Sequence, residues 1–232
     1  TGFTASKILW MQKNEPELYA KVRRILLPKD YVRLRMTGEY ATDVSDASGM
    51  QLMNIARRNW SGEMLSALEI DPQWLGRLLE SPEVSGRVTQ QAADDMGLFP
   101  GTPVAAGAGD QAAGAVGSGI VREGILSSTI GTSGVVFAHM DKVAIDPQGR
   151  VHTFCHAVPG SFHVMGVTQG AGLSLKWFRD QFCLPEMQTA LQLDVDPYDL
   201  LDQEAARVPI GAENLFYLPY LMGERTPHLD PD

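Results

Sequence analysis

The chain has 232 residues, 44% of them hydrophobic, and a formal net charge of −9. That is enough apolar material for one large domain or two small ones, and the acidity sets nucleic acid and anionic membrane aside as partners. Two cysteines, Cys155 and Cys183, make neither a disulfide framework nor a metal cluster and suit a reducing, cytoplasmic setting, and no apolar run is long enough to cross a bilayer.

Ala5 to Leu18 reads as a helix, with Ile8, Met11 and Leu18 on one face. Pro28 opens a second helix at its first turn and Gly38 ends it. "DVSDASGM" is rich in Asp, Ser and Gly and reads as a loop or capping segment. "SGEMLSALEI" and "PQWLGRLLES" read as short helices joined at Asp71-Pro72, and "TQQAADDMGL" as another helix, ended by Gly97. The texture then changes. "PVAAGAGD" reads as a short buried strand ending on a carboxylate, and "DQAAGAVGSGI" as a tightly packed helix of small residues. "GILSSTIGTSGVVFAHM" predicts strand, turn, strand; "VHTFCHAV" and "SFHVMGVT" predict two more strands. "GAGLSLKWFRDQF" predicts a helix, and "NLFYLPYLMGERTP" an apolar strand running into a loop. A domain boundary is expected near Ala113 to Ile120, dividing residues 1-112 from 113-232. The chain opens at Thr1 without a methionine and stops just after a Pro-rich turn, so we expect a piece of a longer protein.

Three stretches could carry chemistry. Asp110 stands before a helix of small residues, where a substrate could approach closely and lose a proton to the carboxylate; equally, Asp is a good helix N-cap. "STIGTSG" places Thr132 and Ser133 between Gly131 and Gly134. Their backbone N–H groups and hydroxyls could cradle a phosphate, or the glycines could serve a plain hairpin by taking conformations that a Cβ would strain. It is not a P-loop, since the lysine and following helix are missing. "QGAGLSLKW" could hold an anion or a nucleotide ring at a helix start, or only allow close packing. His139, His152, His156, His163 and His228 lack metal-ligand spacing and read as structural or substrate-adjacent, with His156 and His163 facing each other across a hairpin. The pairs Arg23-Arg24 and Arg57-Arg58 read as solvated helix faces.

Taken together and in this order, these stretches resemble the FGGY carbohydrate kinases. "GFTASKILWMQKN" is similar to that family's first signature, with Lys7 and Trp10 in the expected places. The blocks "LLPKDYVRLRMTGEYATDVSDASGM", "GAGDQAAGAVGSGIV" and "LPYLMGERTPH" resemble the branch that acts on D-xylulose. The resemblance implies an α/β fold of the actin-like ATPase, ribonuclease H-like kind, comprising the tail of a first domain and the head of a second. It implies ATP and Mg2+, phosphorylation of a sugar hydroxyl, and a sugar and ATP as partners, with a homodimer left open. By position, Asp110 would be the catalytic base and Gln111 would lie beside the sugar. Gly131, Thr132 and Ser133 would contact phosphate; Gly172 and Lys176 would lie near the nucleotide. Lys176 departs from the Gln of glycerol-specific relatives, and no residue is assigned to a metal. Glycerol, gluconate or another ketose is the alternative substrate, and an actin-like ATPase or chaperone module without sugar transfer the alternative class.

Overall fold

Pro16 decides how the first helical stretch ends. A proline inside a helix removes a hydrogen bond and clashes with the preceding turn. The helix expected from Ala5 to Leu18 is therefore two, α1 (Thr4–Asn14) and α2 (Pro16–Tyr19), with Pro16 in the first turn of the second. The computed structural model describes residues 2–230. Next comes α3 (Pro28–Thr37), stopped by Gly38 at φ +74°, as its proline and glycine predict. Then follow β1 (Ala41–Asp43), α4 (Val44–Ala47) and a 3-10 turn over Ser48–Met50.

The stretch expected as a loop or capping segment does cap a short helix, and it is also deeply buried. Val44, Ala47 and Met50 join Leu52, Leu65, Ile70, Leu75, Cys155 and Phe162 in the largest apolar core. Its polar residues are buried because each finds a partner. Asp43 caps α4 by accepting the N–H groups of Ser45 and Asp46. Ser48 donates to the Val44 carbonyl and accepts the Cys155 N–H. A cap of this kind contributes about 0.5–2 kcal/mol.

Short ladders surround this core. β2 (Met53–Asn54) pairs antiparallel with β3 (Asn59–Trp60), followed by α5 (Gly62–Ala67). The second expected helix of this region is instead a 3-10 turn, Pro72–Trp74, and then β4 (Arg77–Leu79), which pairs parallel with β1. Gly76 explains the difference: a Cβ there would lie 3.0 Å from the Ala41 backbone, so only glycine lets the two strands meet. β5 (Val84–Arg87) pairs antiparallel with β6 (Pro103–Ala105) around α6 (Gln90–Met96), which ends at Gly97 as expected. β6 alternates between exposed and half-buried and stops five residues before Asp110, so the expected buried strand running to the carboxylate is not formed.

α7 (Asp110–Gly117) follows, then β7 (Leu126–Ile130), β8 (Gly134–Met140), β9 (His152–Cys155) and β10 (Phe162–Thr168), in a sheet of order β7-β8-β10-β9. α8 (Gly172–Phe182), α9 (Leu184–Leu193) and α10 (Pro197–Ala205) complete the regular structure. The expected strand in "NLFYLPYLMGERTP" does not form. Residues 215–220 join no ladder, and Pro219 offers no N–H to one. The chain divides into two compact units. The first is the chain up to Ser127 with Phe137–Pro147 and His152–Val164; the second is Ser128–Val136, Gln148–Val151 and the chain from Met165.

In the first unit, Arg58 is not a solvated charge. Its guanidinium makes two 2.7 Å bonds to the Glu80 carboxylate and lies 5.2 Å from the Phe162 ring centroid. Arg24 stays exposed as expected, although it lies over Tyr40 and donates to the Gln73 carbonyl. The same unit buries three histidines. His163 stacks on Phe137 with ring centroids 4.2 Å apart, His156 meets His163 edge-on, and His139 lies 4.9 Å from His156. The His156 Nδ1 accepts the Val158 N–H, which fixes it as a neutral ring.

Burial first, and then the neighbouring His139, lower the His156 pKa to about 4. Burial, then His156 and His139, lower that of His163 to about 3. An unfolded chain takes up these protons near pH 6.5 while the native fold refuses them. Their contribution to stability is therefore complete above about pH 6.5 and drains as the pH falls toward 4 and 3. Urea unfolding at pH 7.5 and 5 should show a loss of about 2 kcal/mol attributable to His163, absent in His163→Phe, which keeps the ring stack. An equal pH slope in the two proteins would contradict this.

Candidate functional site

The first unit holds Asp110 and Gln111. The N-cap of α7 is Gly109, so Asp110 is the first helical residue and the N-cap alternative is overturned. One carboxylate oxygen of Asp110 accepts the N–H of Gln111 at 2.8 Å, and the other makes no hydrogen bond among the described residues. Both side chains are exposed, while Ala112 and Ala115 behind them are buried. Negative charge in a helix's first turn is favoured by the free N–H groups there. The arrangement is a solvent-facing carboxylate with a free lone pair on a fixed helix end.

A glycine-rich loop leads into it, held by bonds to distant parts of the first unit. The Arg33 guanidinium donates to the Ala106 carbonyl at 2.9 Å. The Gly107 N–H donates to the Ser81 carbonyl at 3.1 Å. The Gly109 N–H donates to the Ser45 hydroxyl at 3.0 Å. Gly107 has φ +87°, a conformation that suits glycine. Two of these anchors, Ser45 and Ser81, bond Asp43, which has no solvent exposure. Its Oδ1 accepts the Ser45 hydroxyl at 2.5 Å and the Ser81 hydroxyl at 3.4 Å. Its Oδ2 pairs with Lys29 Nζ at 2.6 Å, and that ammonium also reaches Asp30 at 2.8 Å and Asp46 at 3.4 Å. Burial works against the Lys29 charge, but Asp43 and Asp30 outweigh it and raise the Lys29 pKa above its usual value. Burial, only partly offset by Lys29, raises that of Asp46. Sequence reading missed this network. Its signal was the pattern of Lys29, Asp30, Arg33 and Asp43: charges at close intervals around a buried segment.

The second unit holds Gly131, Thr132, Ser133, Gly172 and Lys176, and the first four are brought together. The Ala171 and Leu173 N–H groups donate to the Thr132 carbonyl at 3.0 and 3.2 Å, and the Gly172 N–H donates to the Gly131 carbonyl at 2.8 Å. The first N–H groups of α8 are therefore taken, so its start is not an open anion site as one reading allowed. The free donors lie in the turn instead. The backbone N–H groups and hydroxyls of Thr132 and Ser133 make no hydrogen bond among the described residues. Lys176 is exposed one helical turn beyond Gly172.

The glycines act by contact, not by unusual backbone angles. Neither Gly131 nor Gly134 has a positive φ, which corrects the strained-turn expectation. A Cβ on Gly134 would lie 2.7 Å from Thr168 Cγ2, and one on Gly172 would lie 2.6 Å from the Gly131 carbonyl oxygen. On the far side, the Glu224 carboxylate accepts the Thr168 hydroxyl at 2.5 Å and the Gln169 N–H at 3.0 Å, tying the end of β10 in place. Among the described residues, no three His, Cys, Asp or Glu converge to hold a metal ion, and no helix is long and apolar enough to cross a membrane.

Two profiles match the chain: the FGGY family of carbohydrate kinases, N-terminal domain, over residues 1–117, and its C-terminal domain over residues 126–232. The xylulose kinase of Bacillus subtilis is 42% identical over 99% of the chain, and the gluconokinase of Bacillus licheniformis 36% identical over 98%. A crystal structure titled as a xyloylose kinase from Brucella ovis superposes with a TM-score of 0.86 at 37% identity, over 99% of the chain and 45% of its own. The chain spans about 44% of the length of the curated relatives it matches.

Lys29→Met would leave Asp43 buried without its cation. Chemical denaturation should show a loss of about 3 kcal/mol, while a loss under about 1 kcal/mol would mean that the backbone donors alone hold the charge. Gly172→Ala should cost about 1–3 kcal/mol because its Cβ meets backbone, whereas Gly131→Ala, whose nearest atom would be 3.7 Å away, should stay within about 0.5 kcal/mol. The reverse order would refute the contact account of these glycines.

Proposed function

Because the chain belongs to the FGGY family of carbohydrate kinases, whose profiles match both its halves, we propose that the protein carrying it transfers a phosphoryl group from ATP to a sugar hydroxyl, with D-xylulose as the first sugar to test. The observation that carries this reading is Asp110, an exposed carboxylate with one oxygen free, fixed at the head of α7. Asp110 accepts the hydroxyl proton as the sugar oxygen attacks the γ-phosphorus, and the bond from that phosphorus to the ADP oxygen breaks. Gln111 lies beside the sugar. General-base help of this kind is worth about 10²–10⁴-fold.

The residues of the second unit suit a phosphate chain. Thr132 and Ser133 offer unspent N–H and O–H donors, and Gly131, with no side chain and no atom nearer than 3.7 Å to where a Cβ would stand, leaves room beside them. Donors already held in place stabilise the charge of a loose transition state without reorganising, which is most of what phosphoryl transfer requires. Lys176 adds a positive charge one turn along α8. The family also implies Mg2+. The described residues include no cluster suited to it, and no step here runs through it.

A second sugar has a specific observation behind it, since the gluconokinase relative is 36% identical over 98% of the chain. A panel of D-xylulose, gluconate, glycerol and other ketoses, read as sugar-dependent ADP release, separates the substrates. ADP release indifferent to every sugar would favour an ATPase without sugar transfer. In the active protein, Asp110→Asn should keep ATP affinity and lose sugar phosphorylation by at least about 10²-fold. Near-normal turnover in that variant would remove Asp110 from the mechanism.

A further inference from the structure

Resting on the reading of Asp110 as the base, we infer that Ser45 is the positioning residue for that base: its buried hydroxyl clasps the Gly109 N–H and fixes the point at which α7 begins. The bond spans 64 residues of sequence and is 3.0 Å long. Gly109 is the N-cap of α7, and its own neighbour Asp110 is the first helical residue, so the clasp acts one peptide away from the carboxylate. No side chain caps α7, which leaves the external clasp to set where the helix starts.

The Ser45 hydroxyl can be a fixed acceptor because its own proton is committed. It donates to Asp43 Oδ1 at 2.5 Å, and the Ser45 backbone N–H reaches the same oxygen at 2.8 Å. Side chain and backbone are thus pinned by one carboxylate, itself held by Lys29. Of the oxygen's two lone pairs, one takes the Gly109 amide, and the Ser81 hydroxyl lies 3.5 Å from the same oxygen, which leaves it little freedom to turn. Close approach is part of the design: a Cβ on Gly109 would sit 3.5 Å from the Asp46 Cα, so the loop lies directly against α4. Ser48, two residues past Asp46, gives the natural comparison. It is equally buried, bonds the Val44 carbonyl and the Cys155 N–H, and has no bond to the Asp110 loop.

The test compares Ser45→Ala, Ser45→Cys, Ser48→Ala and Asp110→Asn in the active protein. Misplacing a catalytic group by about 1 Å can cost about 10²-fold. Ser45→Ala should therefore lower kcat at least about tenfold with the KM for ATP changed less than about twofold. Ser45→Cys, which keeps the volume but substitutes a weak acceptor, should shift kcat in the same direction and remains decisive if the alanine variant does not fold. Ser48→Ala should leave kcat within about twofold at a similar loss of stability. Amide hydrogen exchange at Gly109 should accelerate in both Ser45 variants and not in Ser48→Ala. Unchanged kcat or unchanged Gly109 exchange in the Ser45 variants, with Asp110→Asn inactive, would overturn the clasp. If Asp110→Asn stays active, the base assignment fails, and Gly109 exchange alone decides whether Ser45 holds the loop.

Discussion

A carboxylate that loses all contact with water must be surrounded by donors or surrender its charge. Asp43 meets that condition in the first unit, and the donors it gathers come from three separate stretches of chain. Lys29 reaches it from α3, Ser45 and the N–H groups of α4 from its own side, and Ser81 from the end of the β4 segment. Satisfying one charge therefore fixes the relative positions of α3, α4 and β4. The apolar core then packs around Val44 and Ala47 of the same short helix and Met50 of the turn that follows it. Buried polar groups of this sort specify an arrangement more than they stabilise it, since a generic apolar residue would accept many packings that Asp43 does not.

The two units meet different chemical needs by different means. In the first, a charged side chain is kept in a defined place by a polar scaffold. In the second, the groups of interest are backbone N–H donors, and the scaffold is the absence of side chains: Gly134, Gly170 and Gly172 let the turn, β10 and the start of α8 come together. Glu224 completes that arrangement by collecting the Thr168 hydroxyl and the Gln169 and Arg225 N–H groups. Both devices spend polar groups on each other so that a few remain unspent: one oxygen of Asp110, and the donors of Thr132 and Ser133.

Much of the fold was legible because its punctuation is local. Pro28 and Gly38 bound α3, Gly97 ends α6, and β-branched residues on both sides of "GTSG" mark β7 and β8. What was not legible depended on partners distant in sequence. "DVSDASGM" has the composition of a loop or a helix cap, and Asp43 does cap α4; what could not be read is its burial, which needs Lys29, Ser81 and Cys155, none adjacent to it. "PQWLGRLLES" has helical spacing, yet Gly76 allows β4 to reach β1, and ladder pairing overrode propensity. At the candidate site the residue types were readable and the reasons were not. The glycines of the turn suggested strained angles, but neither has one, and Gly134 serves close approach instead. The histidines were read as structural or substrate-adjacent, and for His139, His156 and His163 the structural reading holds: they are buried together beside Phe137.

The turn at Thr132 and helix α8 are joined by three backbone bonds, and the Gly131 carbonyl lies against Gly172. Two bodies fastened in that way share their motion, so a displacement of the turn is transmitted along the axis of α8. Trp177 lies on that helix, with its indole against the rings of Phe182 and Tyr217, and the other tryptophans, Trp10, Trp60 and Trp74, belong to the first unit. The second unit thus carries a single tryptophan, mechanically coupled to its candidate phosphate turn. Its emission offers an optical gauge of that turn without any added label.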